Sequence, residues 1–379
     1  MTFDVGRAET GRFRVLTTAQ GPFVSVYLDD SRNNSDLHGQ REAIWRDLRT
    51  YLEDICADEG MIDMVRQAMI EGQPAVGRQG RGIIATGREL LINEHLSSPP
   101  PTTIVRLSEY PFILPLVEFG RRRPPYVFAA VDHLGADITI HGGDSISSET
   151  VDGGGCPVHK PATAGWKGYG DQQHSAEEAI RMNVRAVADR MGGWVDRAGA
   201  ELVFVCGEVR SRTDVYTALP DRVRERVIQL HAGARGHRIR EEEVPDRIDE
   251  AFLQRRRGAA VDTAARFESE IKRHSGLAVE GLDAVCAALR EGAVETLIVT
   301  HLGDATVVTG DKRTTIAPDA DRLSELGEAP QRVARADEAL PFAAICIGAA
   351  LIRVDGLDPA DGVAALLRYV PSDLTGTVA

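Results

Sequence analysis

The 379-residue chain lacks a positive surplus, a long apolar run and any clustered cysteine. Lys and Arg number 44 against 57 Asp and Glu, a formal charge of −13. A chain of that sign does not hold nucleic acid by bulk charge, as a basic tail does. A few locally basic or aromatic loops can still touch RNA. The longest apolar run, around Phe342 to Ile352, falls far short of the roughly 20 residues a bilayer needs. The opening MTFDVGRAETGRFRV has no apolar core and no cleavage signal, so a cytoplasmic protein is expected. Cys56, Cys156, Cys206, Cys286 and Cys346 stand fifty or more residues apart. With no CxxC pair and an odd count, reduced thiols are expected rather than a zinc site or a disulfide.

The common catalytic signatures are missing as well. There is no GxSxG elbow and no HExxH. Gly153-Gly-Gly and Gly168-x-Gly170 sit in neither a P-loop nor a Rossmann context, so neither is a phosphate cradle of those kinds. His133, His141, His159 and His174 fall in one stretch, but their spacing imposes no metal geometry. No metal and no cofactor are expected.

What is present is a long alternation of helices and strands, an α/β pattern divided into three segments. The first, 1–123, begins with Phe23-Val-Ser-Val-Tyr-Leu-Asp, which alternates like a half-buried strand. A polar loop of turn formers follows, then a helix with Ile44, Leu48, Tyr51, Leu52 and Ile55 on one face. Arg121-Arg-Arg-Pro-Pro closes the segment, since two prolines cannot continue a helix. The second, 124–275, opens with three strands in a meander, from Tyr126, Ala136 and Ser145. A Gly-rich loop, 153–174, leads to a helix whose start is marked by the capping box Ser175-x-x-Glu178. That helix carries Ile180, Val184, Val187, Met191 and Trp194 on one stripe. A buried strand at Glu201–Cys206, a shorter one at Val227 and a long charged helix to His274 follow. The third, 276–379, reads as a small α/β sandwich, with a helix from about Val279 to Arg290 that Gly292 ends.

Two kinds of chemistry suit the middle segment. A meander followed by a helix and more strands is the outline of a ribonuclease-H-like sheet, and nucleases of that shape hold metals with acids at strand ends. Asp132 and Glu208 stand at such ends, with Asp171 and Asp214 as weaker partners. Turn and capping roles account for the same acids more simply. The loop PVHKPATAGWKGYGDQQHS mixes cations, aromatic rings and amides, which suit phosphates, base faces and base edges of structured RNA. A Gly-rich lid with its Trp tucked inward fits that composition equally well.

Several strings together resemble a known family: GPFVSVYLDDS, RRRPPYVFAAVDHLGAD, PVHKPATAGWKGYGDQQHSAEEAIRMN, GEVRSRTD and RVARADEALPFAA. They are similar to the bacterial branch of the archaeal and eukaryotic class-1 peptide-chain release factor and Pelota family, and closest to its mycobacterial, Balon-type hibernation members. The resemblance implies three domains, with a ribonuclease-H-like middle domain and a ribosomal-protein-like α/β sandwich at the C-terminus. It implies a ribosome hibernation factor in the A site of the 70S ribosome of dormant or stressed cells, against 23S and 16S rRNA, alone or with elongation factor Tu, and with no DNA or membrane partner. Contacts to RNA would come from His159, Lys160, Trp166, Lys167, Tyr169, Asp171, Gln172, Gln173 and His174 in the middle loop. Arg32, Asn33, Asn34 and Arg41 would contribute on the decoding side, and Arg181 and Arg185 along the helix.

The departures from the family pattern bear on activity. Its Gly-Gly-Gln tripeptide is replaced by Gly170-Asp171-Gln172. A side chain there blocks the close backbone approach that release requires, and its charge opposes a developing oxyanion. No Asn-Ile-Lys-Ser codon-reading motif occurs; Ser31-Arg-Asn-Asn-Ser35 stands in its place. A protein without catalytic residues is expected. The alternative on the same fold is a peptidyl-tRNA hydrolase or rescue factor using Gln172 or Gln173 to orient water.

Overall fold

Strand β1 (Phe23–Asp29) is the centre of the first sheet and is buried on both faces. The structure, a computed structural model, describes residues 10–31, 37–71, 79–120, 123–142, 145–152, 169–231 and 243–371. Short helix α1 (Arg14–Thr18) precedes β1, and helices α2 (Leu37–Asp54) and α3 (Glu59–Glu71) follow it. Strands β2 (Gly80–Ala85), β3 (Leu90–Leu96) and β4 (Ile104–Ser108) complete an antiparallel sheet of order β3-β2-β1-β4, before helix α4 (Leu114–Phe119). Val24, Val26 and Leu28 pack against Leu48 and Leu52 of α2 and Met61 and Val65 of α3. Tyr51, expected on that face, is instead exposed.

The second sheet holds strands β5 (Tyr126–Val131), β6 (Gly135–Gly142) and β7 (Ser145–Asp152) as the expected antiparallel meander. Helix α5 (Tyr169–Ala198) crosses over to strand β8 (Leu202–Gly207), which lies parallel to β5. Helices α6 (Val209–Ala218) and α7 (Asp221–Arg224) lead to strand β9 (Val227–Gln229), parallel to β8. The order β7-β6-β5-β8-β9 is that of a ribonuclease-H-like sheet. Both faces are covered, which is why β5 and β8 read as continuous apolar runs. Val127, Ala129 and Val131 meet Val184, Val187, Met191 and Val195 of α5, while Tyr126 and Phe204 meet Ile248 and Phe252 of helix α8 (Glu243–Arg273). Each such apolar side chain contributes about 1.5–3 kcal/mol when fully buried.

Beyond α8, strand β10 (Ala278–Glu280) precedes helix α9 (Leu282–Arg290), strand β11 (Val294–Val299) and strand β12 (Thr306–Thr309). Strand β13 (Ile316–Ala317), helix α10 (Ala320–Glu325), strand β14 (Arg332–Arg335), helix α11 (Ala336–Cys346), strand β15 (Ala350–Arg353) and strand β16 (Val363–Leu367) complete the fold. They form a four-stranded sheet, β10-β16-β11-β15, and a three-stranded one, β13-β12-β14. The expected helix from Val279 thus starts three residues late. Gly281 at φ +84° breaks the chain there, and Val279 pairs with Ala365 on β16.

The chain divides into two compact units: Met1–Arg121 together with Arg256–Ala379, and Arg122–Arg255. The first and third sequence segments therefore form one body rather than two. Phe13, Leu16, Phe23, Tyr27, Tyr110 and Phe112 share a core with Val285, Leu297, Leu340 and Phe342. This corrects the half-buried expectation for β1: the face carrying Phe23 and Tyr27 is covered by the C-terminal segment. Tyr110 and Phe342 meet edge-on with ring centroids 5.4 Å apart, and the Thr10 hydroxyl accepts the Leu351 amide at 3.0 Å.

Candidate functional site

Helix α5 carries the candidate site at its N-terminal end. At about 1.5 Å per residue, its 30 residues run about 45 Å. Its buried stripe begins at Ala179 and continues through Val184, Val187, Met191 and Val195. The ten residues before Ala179 are also helical, so Gly170-Asp171-Gln172 lies in the first turn. Two expectations are corrected here. The helix begins at Tyr169, within the stretch expected to be loop to 174, and Ser175 is not the N-cap but a residue in the second turn. Gln172, Gln173, Ala176, Glu177 and Glu178 are good helix formers, and an acid in the first turn suits the helix dipole. Gly170 resists helix by only about 1 kcal/mol. The first four amides of α5, from Tyr169 to Gln172, have no partner within the helix and present a positive end.

His159, Lys160, Trp166 and Lys167 lie outside the described residues, as do the side chains of Tyr169, Asp171, Gln172, Gln173 and His174. Of the two helix arginines, Arg181 is exposed and pairs with Glu178 at 2.9 Å. Arg185 is exposed one turn further on. Neither faces the sheet, so both cations are presented to solvent.

Sequence pattern missed the groups that fix α5 in place. Asn183 is buried and donates Nδ2 to the His133 carbonyl at 3.3 Å, tying the helix to the β5–β6 turn. Its position three residues after Ile180, on the apolar stripe, was the available signal. From β7, Glu149 accepts from Arg190 Nε at 2.7 Å and from the Trp194 indole. These hydrogen bonds hold the Glu149 carboxyl below the usual range. The Arg197 guanidinium lies over the Trp194 ring at 4.2 Å. The expected stripe residue Trp194 is thus a clasp between helix and edge strand.

The strand-end acids are placed side by side but differently used. Val131 and Gly207 are register partners, so Asp132 and Glu208 follow at neighbouring strand ends. Asp132 Oδ1 accepts the amides of Leu134 at 2.7 Å and Gly135 at 2.8 Å, a turn-stabilising role. Glu208 is the exposed residue before α6, and Asp214 lies 3.8 Å from Arg210. Among the described residues, no group of three or more His, Cys, Asp or Glu is gathered to hold a metal ion. Buried Arg212 donates Nη1 to the Leu230 carbonyl at 2.5 Å beside His231, pinning α6 to the end of β9. No local pattern marks it. His141 stacks on Tyr126 at 4.3 Å, and burial, then Arg123, lowers its pKa.

On the decoding side, Arg32, Asn33 and Asn34 lie outside the described residues, and Arg41 is on α2 with its side chain likewise outside. The residues just before them, up to Ser31, are described. Asp30 pairs with Arg81 of β2, and Arg81 Nη1 also donates to Asn93 Oδ1 at 3.2 Å. The Ser31 amide donates to Asp29 Oδ1 at 2.8 Å. Among the described residues, no helix is long and apolar enough to cross a membrane.

Residues 125–273 match the family described as bacterial archaeo-eukaryotic release factor family 2. The chain is 57% identical over 367 residues to the proteins named Uncharacterized protein Rv2629 and Uncharacterized protein MT2704, from two strains of Mycobacterium tuberculosis. Each alignment covers 97% of this chain and 98% of the relative. Among solved structures, the chain is similar to the archaeal translation termination factor aRF1, at 16% identity over 96% of this chain and 98% of that one, with a TM-score of 0.25. It is also similar to archaeal Pelota, from a model of ribosome-bound Pelota and ABCE1, at 15% identity over 97% and 95% and a TM-score of 0.41. These two likenesses are remote and carry no functional weight. With near full-length identity to the mycobacterial proteins and the matched middle unit, the chain belongs with them to one bacterial release-factor-like family.

Proposed function

We propose that this protein is a ribosome-binding factor that occupies the A site of the 70S ribosome in dormant or stressed cells without releasing peptide. Membership of a release-factor-like family supports the ribosome as partner. The observation that carries the inert reading is Gly170-Asp171-Gln172 wound into the first turn of α5. Peptide release needs a backbone free to approach the ester and a water held in line. A helical turn fixes φ and ψ, and the aspartate adds bulk and negative charge where an oxyanion would form. The long helix instead suits a rigid mount. Its apolar stripe anchors it to the sheet.

The acidic surface limits non-specific RNA binding, and a few cations and rings then set the position. Elongation factor Tu is the candidate accompanying factor, and the cytoplasm the site of action. The test is gradient sedimentation of a stationary-phase lysate, followed by purified protein with 70S particles. Co-migration with 70S particles is expected, weakened by the double substitution Trp166→Ala and Tyr169→Ala. Migration only with free protein would sink the proposal. Release of labelled peptide from stalled complexes, lost in Gln172→Ala or Gln173→Ala, would instead establish the hydrolase alternative.

A further inference from the structure

Strand β7 forms one edge of the β7-β6-β5-β8-β9 sheet. Its eight residues pair with β6 in unbroken antiparallel register, from Ser145↔Gly142 to Asp152↔Gly135. In such a ladder every second residue turns its N–H and C=O to the far side, so about four of each point outward from β7. Among the described residues, no group of another element bonds to the outer edge from Ile146 to Val151. Most of the strand is exposed, Ile146 at 68%. It is nevertheless held firmly. Val151 packs against the core beneath α5, and Glu149 accepts from Arg190 and Trp194.

Native proteins usually guard a sheet edge with Lys, Pro, a bulge or a covering segment. Other edges of this protein show such devices. A bulge at Ile84–Ala85 interrupts the pairing of β3, whose Leu96 also bridges to Gly120. On β15 the Thr10 hydroxyl takes the Leu351 amide. The opposite edge of the same sheet, β9, has only three residues. Strand β7 has none of these. Its sequence, Ser-Ile-Ser-Ser-Glu-Thr-Val-Asp, contains no Lys, Arg, Pro or Gly, and Ile146, Thr150 and Val151 are β-branched strand formers. A long, regular, unguarded edge is a template for an added strand.

Charge selects the occupant. Strands β6 and β7 carry Asp137, Glu149 and Asp152 and no Lys or Arg, in a chain of net charge −13. Of the cations on the adjoining helix, Arg190 is engaged by Glu149 and Arg197 lies over Trp194. Like charge therefore opposes a second copy of the chain or an acidic peptide at this edge, and favours a basic one. The Thr150 hydroxyl donates to Asp137 at 3.1 Å, so both lie on one face of the sheet, with Asp152 at the next same-face position. Ala136, Ile138, Ile140 and Val151 face α5 instead. A peptide of alternating basic and apolar residues laid beside β7 would set its cations on the Asp152 face and its apolar residues on the Val151 face.

We propose that the outer edge of β7 binds an extended basic segment of a partner protein as an added strand. Backbone hydrogen bonds supply the affinity, and Asp152, with Asp137 one strand further in, selects Lys or Arg side chains.

The test uses the full-length protein and a fluorescein-labelled peptide of about eight residues alternating Lys and Val, read by anisotropy. Saturable binding is expected. It weakens about tenfold or more when Pro replaces the central Val residues at unchanged charge, and likewise when Glu replaces Lys. The variant with Ile146→Lys and Ser148→Lys, both at exposed positions, places guarding charges on the edge; it loses the peptide and keeps its thermal midpoint. In amide exchange, the outward amides of β7 are fast in the protein alone and slow with peptide. Equal binding by the Pro-containing peptide or by the double variant overturns the proposal, since attraction is then by charge alone. Outward amides already protected without peptide overturn it too, because the chain itself then covers the edge. A monomer–dimer equilibrium in sedimentation that the double variant abolishes assigns the edge to a second copy instead.

Discussion

Arg81 grips Asp30 through Nε at 2.9 Å and Nη2 at 2.7 Å, with the two side chains only 3% and 6% exposed. The pair crosses from β2 to the residue just after β1, two positions before Arg32 in the sequence. Removing one partner strands a buried charge. Asp30→Ala and Arg81→Ala are each expected to cost about 3–5 kcal/mol. A double replacement by apolar residues of matched volume should be far milder. Urea denaturation of the three variants checks this, and a single-variant cost below about 1 kcal/mol would refute it.

Glu338, on α11, is held by Arg106 of β4 at 3.1 Å, and Arg106 also pairs with Asp337 at 3.0 Å. Burial outweighs these partners and raises the Glu338 pKa above the usual carboxylate value of 4.5. The folded state then holds a proton that the unfolded state has lost. Its contribution is full below the unfolded pKa and is lost as pH rises through the folded one. Glu338→Gln should therefore flatten the decline of stability with pH just above 4.5. Chemical denaturation of both proteins across that window is the measurement, and parallel slopes would count against it.

Gly207, at the end of β8, has φ +138°, and a Cβ there would meet the Val131 carbonyl oxygen at 2.1 Å. Gly207→Ala combines backbone strain of about 1–3 kcal/mol with a clash against β5 that only strand separation relieves. The thermal midpoint is expected to fall sharply, with the neighbouring ends at Asp132 and Glu208 losing amide-exchange protection first. A neutral Gly207→Ala would mean the strands tolerate a wider spacing.

Asp171→Gly removes both the bulk and the charge that the inert reading invokes, whereas Asp171→Ala removes the charge but keeps a Cβ. Peptide release from stalled ribosomal complexes is expected at background for wild type and Asp171→Ala, and above it for Asp171→Gly. Equal release by all three would detach activity from this position.

Of the four described thiols, Cys56 and Cys346 are exposed, while burial pushes Cys206 up to about 11 and Cys286 up to about 12. At pH 7.5 a maleimide reagent should modify Cys56 quickly and leave Cys206 and Cys286 untouched until the fold opens. Peptide mapping by mass spectrometry resolves the three sites.

The middle unit was the most legible from sequence. Its meander, the stripe on α5 and the buried run of β8 follow local periodicity, and the strand order agrees with the ribonuclease-H-like expectation. The capping box at Ser175 misled because Ser-x-x-Glu is also an ordinary pattern inside a helix. Asn183 was hinted at by its place on an apolar stripe; Arg212 and Arg313 were not, since nothing near them in the chain marks their partners.

By itself, then, the sequence determined the α/β class, the acidic balance and the Gly170-Asp171-Gln172 string, because composition, period and motif are local properties of the chain. Only the tertiary structure decided that β1 is covered on both faces, that Phe342 shares a core with Phe23 and Tyr110, and that the Arg313 guanidinium stands by the Phe23 and Phe342 rings. Each of those depends on residues some 200 to 300 positions apart meeting in space, and no window of local pattern carries that information.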